Sequence, residues 1–384
     1  MTYRRAVIPA LFGGVLITLL LWWAGESAEA LRLRGSTSVL DIDSVNELRN
    51  WLAPWSYDLS TASADPATGG GTPYADLYRT GMQIRFVAVL GFFVAGALLL
   101  VRRIPPTRGR TPATVLALWA WGPVAGTLAV TVSAPWLIAA RGHGSYRVLP
   151  QLASVIASSG PVPVFAGLLT ALLTVLVARV TAKGEESPAR RDVPPRAARV
   201  AASAGTAVVA VSLVGLSHVS VAAWIQTSFS GRGLLSEPGD LLREWLLLGS
   251  WAGPAGGPLG DWLLYRAADL LTLVVVWWSL RLLPGLLTRT TAPAMAVSTV
   301  CAVLLGLTAS QFVRTAVDDT ASVWGPLHLF SGLGSNVPAA LTFGILAGAA
   351  AFAALRLTGG GSDRDGDTAK VPEPDAAPLS PPRA

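Results

Sequence analysis

Charge is the scarcest commodity in this chain. Of its 384 residues only 14% are Asp, Glu, Lys or Arg, while 52% are apolar and the mean hydropathy is +0.52. Ordinary soluble domains carry charge at about one residue in four, so the balance excludes that class and selects the membrane class. Lysine occurs only at Lys183 and Lys370, and neither follows a glycine. The chain therefore has no Gly-x-x-x-x-Gly-Lys-Ser/Thr loop of its own to grip a nucleotide. Cysteine occurs once, at Cys301, so no intramolecular disulfide can form; amid Val, Ala and Leu it reads as a small core hydrophobe. The three histidines, His143, His218 and His328, sit in unrelated segments without ligand spacing. Neither a metal centre nor a haem held between two helices is expected from them, and no other cofactor motif occurs. The sequence pI of about 10.0 does not indicate a nucleic-acid partner, because the basic residues are divided along the chain rather than gathered on one soluble face.

What the chain has in abundance is long apolar runs. Eight are long enough to cross a hydrocarbon core of roughly 30 Å. They fall near Ala6–Ala24, Phe86–Val101, Ala113–Ala134, Pro161–Ala182, Val200–Ala223, Ala267–Leu283, Ala292–Val313 and Val337–Leu357. Lipid offers no partner to exposed backbone groups, so each is read as a helix. The first run, with Arg4-Arg5 before it and Ala28-Glu29-Ala30 after it, imitates a signal peptide; its apolar core is long for one, and it is read as a retained span. Short connections hold most of the basic residues: Arg4 and Arg5, Arg102 to Arg110, Lys183 to Arg199, Arg281 and Arg289, and the tail after Arg356. The alternate, longer connections hold most of the carboxylates. Positive charge marks the cytoplasmic side, which places both termini there and the protein in the plasma membrane.

Two stretches half a chain apart carry the same phrase. Leu48-Arg49-Asn50-Trp51-Leu52, then Trp55, precede Tyr78-Arg79; Leu242-Arg243-Glu244-Trp245-Leu246, then Trp251, precede Tyr265-Arg266. The phrase falls after the first span and again after the fifth. The expected fold is therefore all-α: eight transmembrane helices in two parallel four-helix repeats, with interfacial helices in the outer loops. Residues 1–182 form the first repeat, 183–199 a cytoplasmic linker with Pro188, Pro194 and Pro195, 200–357 the second repeat, and 358–384 a disordered cytoplasmic tail.

In the phrase itself, Ser44 to Glu47 reads as a capping box, and Val45, Leu48, Leu52 and Trp55 fall on one helical face; Asp240 is expected to cap the second copy. These would be amphipathic helices at the headgroup level, and Trp51, Trp55, Trp245 and Trp251 are the candidate docking surface. Before the fourth and eighth spans lie short apolar stretches broken by Gly and Pro, Leu149–Gly160 and Gly325–Ser335. Paired interrupted segments are the best sequence pointer to a transport path, so Leu149, Gln151, Ser154, Gly332 and Gly334 are candidate path-lining residues, flanked by Asp269 and His328. Charge inside the spans is nearly absent: Asp269, with Arg266 three residues before it, reads as an interfacial salt bridge, as do Asp76 and Arg79. Gly122-Pro123 should kink the third span, and Gly122/Gly126 and Gly344/Gly348 are spaced for close helix packing. Asp41-Ile42-Asp43 in the first outer loop faintly resembles the acidic loop of membrane glycosyltransferases that use lipid-linked donors; no other feature supports an enzyme. The sequence thus points to a permease-like protein moving or gating an apolar or amphipathic solute between its repeats, or to a non-catalytic subunit or assembly factor of a cell-envelope membrane complex. The expected partners are the lipid bilayer and, in the second reading, the subunits of that complex.

Overall fold

The computed structural model describes residues 3–30, 51, 71–107, 109–140, 148–157, 162–182, 193–229, 237–251, 259–317 and 331–359. Among them the chain is predominantly helical and forms no strand: α1 (Tyr3–Ala30), α2 (Gly71–Arg103), α3 (Thr111–Ala140), α4 (Val148–Ala157), α5 (Val162–Thr181), α6 (Pro195–Ala210), α7 (Val219–Ser228), α8 (Pro238–Leu246), α9 (Leu259–Leu286), α10 (Ala292–Val317) and α11 (Ser331–Gly359). Eight helical segments are long and apolar enough to cross a membrane, in α1, α2, α3, α5, α6 with its extension to Leu216, α9, α10 and α11. The protein is a multi-pass membrane protein. The capping box, Trp55, Asp41 to Asp43, His143, His328, linker residues 183–192 and the tail from 360 on lie outside the described residues, while 193–199 of the expected linker lead into and begin α6.

Two rings of helices make the body. In one, α1 packs on α2, α2 on α3, α3 on α5, and α5 closes back on α1. In the other, α6 packs on α9, α9 on α10, α10 on α11, and α11 closes on α6. The rings meet along α3, whose neighbours across the seam are α10 and α11. At the end of the bundle that carries Arg103, Arg110 and Arg289 (the basic end) the rings are tied by backbone and side chain. The Thr288 amide donates to the Arg103 carbonyl at 2.9 Å, and the Arg110 guanidinium reaches the Gly285 carbonyl at 3.4 Å.

Without a hydrophobic force between helices in lipid, close approach must come from small residues. Gly122 of α3 meets Gly167 of α5 so closely that a methyl group on Gly122 would stand 2.9 Å from the Gly167 Cα. Gly344 and Gly348 of α11 lie against α10, where a methyl would stand 2.7 Å from the Val300 Cα and 2.6 Å from the Ala296 Cα. Both expected glycine pairs therefore mark helix contacts. The Trp119 and Trp121 indole N–H groups donate to the Val164 and Phe92 carbonyls at 3.0 Å, so neither indole N–H is left bare in the interior.

The fifth span departs from its sequence boundaries. It starts earlier, at Pro195, and its last turn is a π-turn, Val211–Leu216. The chain then breaks at Ser217-His218, so His218 lies beyond the span, exposed, with its Nδ1 2.8 Å from the Ser220 hydroxyl. Gly215 inside the π-turn and two serines that can satisfy freed carbonyls explain the break. Ser217 closes on the Ser212 carbonyl through both its amide (3.0 Å) and its hydroxyl (2.8 Å), while the Ser212 hydroxyl donates to the Leu246 carbonyl at 2.6 Å.

Candidate functional site

The charge expected at the margin of the sixth span is inside the protein. Asp269 is 3% exposed, and it is bound by two arginines: Arg266, one helical turn earlier on α9, at 2.9 Å, and Arg314 of α10. The positions follow from the helix crossing. Gly306 lets α10 approach α9 at Thr272, whose hydroxyl donates to the Gly306 carbonyl at 3.2 Å. Asp269 is one turn beyond that contact on α9, and Arg314 two turns beyond it on antiparallel α10. A helical side chain leans toward its own N-terminus, which carries the Arg314 guanidinium back to the carboxylate. Arg314 also lies 5.7 Å over the Tyr265 ring.

Arg266 has a second anchor. It stacks 4.1 Å above the Trp251 ring and donates to the Ser250 carbonyl at 3.2 Å. Trp251 in turn bridges the broken fifth span: its amide donates to the Ser217 carbonyl at 2.7 Å and its carbonyl accepts from the Val219 amide at 2.8 Å. One arginine thus joins α9 to the break between α6 and α7.

A buried arginine escaped the sequence reading. Arg85, one residue outside the span expected from Phe86, lies inside α2 at 2% exposure, donates through Nε to the Ser133 hydroxyl of α3 at 3.0 Å, and sits 5.7 Å over the Trp51 ring. The signal was its place: an arginine next to an apolar run is read as a flank, yet α2 is much longer than the run. Arg314 escaped for the same reason, one residue past Val313.

The remaining candidates are dispersed. Leu149 and Gln151 are half-buried and Ser154 is exposed, all on α4, which packs on α3, α8 and α11 and so lies over the seam between the rings. Gly332 and Gly334 belong to the first turn of α11 rather than to a separate segment, because Ser331 begins an unbroken helix through Pro338. Trp51 is fully buried, Trp245 half-buried, and Trp251 engaged by Arg266. Asp240 does not cap α8: the helix starts at Pro238 with Glu237 at φ 58° before it, and Asp240 instead accepts from the Gln226 amide at 2.8 Å. Proline at the first turn took the position the cap needed. Glu244, beside it on α8, has its carboxyl pushed up to about 7, mainly by burial and further by Asp240, against the pull of Arg243. Asp76 and Arg79 are both exposed.

At the seam, Cys301 of α10 donates its thiol to the Ala117 carbonyl of α3 at 3.3 Å. Nearby a void of about 10 Å³ is lined by both rings: Trp119 and Pro123 of α3, Val164 of α5, Leu304 and Thr308 of α10, and Val337 of α11. It has room for about one water molecule, and its walls are mostly apolar. No group of three or more His, Cys, Asp or Glu that could hold a metal occurs among the described residues.

Compared with known proteins, the chain matches no family model, no curated protein and no solved structure.

Proposed function

We propose that the protein is a non-enzymatic, permease-like facilitator in the plasma membrane, with both termini cytoplasmic. It moves an apolar or amphipathic solute along the seam between two duplicated halves. The observation that carries this reading is the apolar void lined by both rings, overlain at the opposite end from the basic one by α4 and α8. The duplication is supported by the identical order of neighbours in the two rings. Passage requires the rings to part at α3, since one water volume admits no solute; alternating access by rocking one half against the other does this without rebuilding either half. The tryptophans proposed for docking are largely used inside the molecule, which favours transport over the subunit reading. One surface keeps the subunit reading open: past the break, Trp224 and Phe229 form an exposed edge-to-face pair with centroids 6.4 Å apart.

The single cysteine supplies the test. Ala117→Cys places a second thiol on the residue whose carbonyl Cys301 meets across the seam, and a short bifunctional thiol reagent should lock the rings together. In proteoliposomes, wild-type protein should speed the loss of inner-leaflet fluorescent phospholipid or fatty acid to an external quencher. The cross-linked variant should fall to the protein-free rate, and a reducible cross-linker should allow recovery. Folded wild-type protein that adds nothing to the protein-free rate, or a cross-link without effect, removes the proposal. In that case a stoichiometric protein partner, lost in Trp224→Ser, would establish the subunit reading.

A further inference from the structure

The geometry points to an anion site at the end of α9 and α10 away from the basic end, formed by Arg314 and Arg266 with Tyr265 and Trp251 and fitted to a phosphate-bearing lipid headgroup. The argument begins with charge. Two guanidinium groups share one carboxylate, Asp269, and among the described residues no second acid pairs with either. Among the described residues the cluster therefore holds one surplus positive charge. A partly buried surplus of this kind is costly unless something neutralises it.

Donor count leads the same way. Arg266 meets Asp269 as an ion pair and donates to the Ser250 carbonyl, and Arg314 donates to Asp269. Among the described residues Arg266 Nη1 and the Nε of both arginines, all buried, have no hydrogen-bond acceptor. Asp269 and the aromatic rings hold the two guanidinium planes in place, which is the preorganisation a forked oxyanion contact needs. The cluster is also reachable: the Arg314 side chain is 25% exposed and Tyr265 is 40% exposed.

Depth selects the source of the anion. Arg314 lies twenty-two residues along α10 from its start at Ala292, or about 33 Å at 1.5 Å per residue. Arg266 lies twenty residues from the other end of α9, about 30 Å. Against a hydrocarbon core of about 30 Å, both guanidinium groups stand at headgroup level, and Trp and Tyr beside them belong to the same layer. Phospholipid phosphates are concentrated at that depth in either leaflet, whereas free phosphate is not. Binding at this site does not depend on transport along the seam, and the two proposals stand or fall separately.

The test uses delipidated full-length protein in a neutral maltoside detergent. Thermal unfolding is followed on titration with dioctanoyl phosphatidylglycerol, with dioctanoyl phosphatidylcholine and with inorganic phosphate. Phosphatidylglycerol should raise Tm in a saturable manner and phosphatidylcholine much less. Arg314→Gln, which cancels the surplus, should weaken the apparent affinity about tenfold, as loss of a charge-assisted contact does. Asp269→Asn, which raises the surplus, should strengthen it, and a general loss of structure cannot produce that opposite change. An equal response to inorganic phosphate would assign the site to free anions; a response to phosphatidylglycerol alone would assign it to lipid. The proposal is overturned if neither anion shifts Tm, or if Asp269→Asn binds no more tightly than wild type.

Discussion

The two rings solve the same packing problem with different chemistry at the same depth. In the first, α2 and α3 are joined by Arg85 and Ser133; in the second, the corresponding α9 and α10 are joined by Asp269 and Arg314. Arg85 and Asp269 stand eighteen and seventeen residues from the ends of their helices, and Ser133 and Arg314 each twenty-two residues from the start of theirs. Each arrangement also has an arginine over a tryptophan from the preceding loop, Trp51 under Arg85 and Trp251 under Arg266. Glycine shows a similar exchange. The paired glycines are on α3 in the first ring and on α11 in the second, yet each pair brings the third and fourth spans of its ring together. Depth and partner helices thus match between the rings while residue type differs, because a polar bridge and a close approach are geometric requirements that more than one residue pair can meet.

The comparison can be broken most severely at its ionic member. Asp269→Ala leaves two guanidinium groups without their carboxylate, and removing one partner of a buried pair costs about 3–5 kcal/mol. Thermal unfolding in detergent should show the loss, and Asp269→Ala/Arg314→Leu should regain part of it. Next come the glycine contacts. Gly344→Leu and Gly122→Leu should each cost roughly 1–3 kcal/mol through overpacking, and similar losses in both rings would support their equivalence. A large loss in one and none in the other would argue against it. Ser133→Ala should cost less, about 1.5 kcal/mol, because Arg85 keeps its place over Trp51.

The smallest effect concerns the loop helix α8. Glu244 has a folded pKa of about 7 against an ordinary value of 4.5. Because the folded state holds the proton more tightly, stability is greatest below the ordinary value and declines as pH rises from 4.5 to 7. With the side chain only partly buried, solvent screening reduces the change to about 1 kcal/mol. Glu244→Gln should remove this slope and leave the protein the more stable of the two at pH 8, as Tm measured across that range would show. An unchanged slope would place the titrating group elsewhere.

The eight spans were legible from composition, since lipid permits only helices at that apolar length. Their ends were less so. An apolar run marks the hydrocarbon core, whereas α2, α9 and α10 run past it, and Arg85 and Arg314 sit in that overrun. The break at Ser217 was hidden because Val, Ser, Leu and Gly continue the apolar pattern; only the serine bonds and the bridge to Trp251 reveal it.

By itself the sequence determined that this chain carries eight helices long and apolar enough to cross a membrane and where small residues would allow helices to touch, because hydropathy and side-chain size act locally. The tertiary structure decided which charges are buried and who answers them. Asp269 gains its second arginine from a helix forty-five residues away, Arg85 finds Ser133 forty-eight residues on, and Cys301 reaches Ala117 across the seam. Those pairings follow from which helices are neighbours, and neighbourhood is fixed by the packing of the whole chain rather than by any one segment.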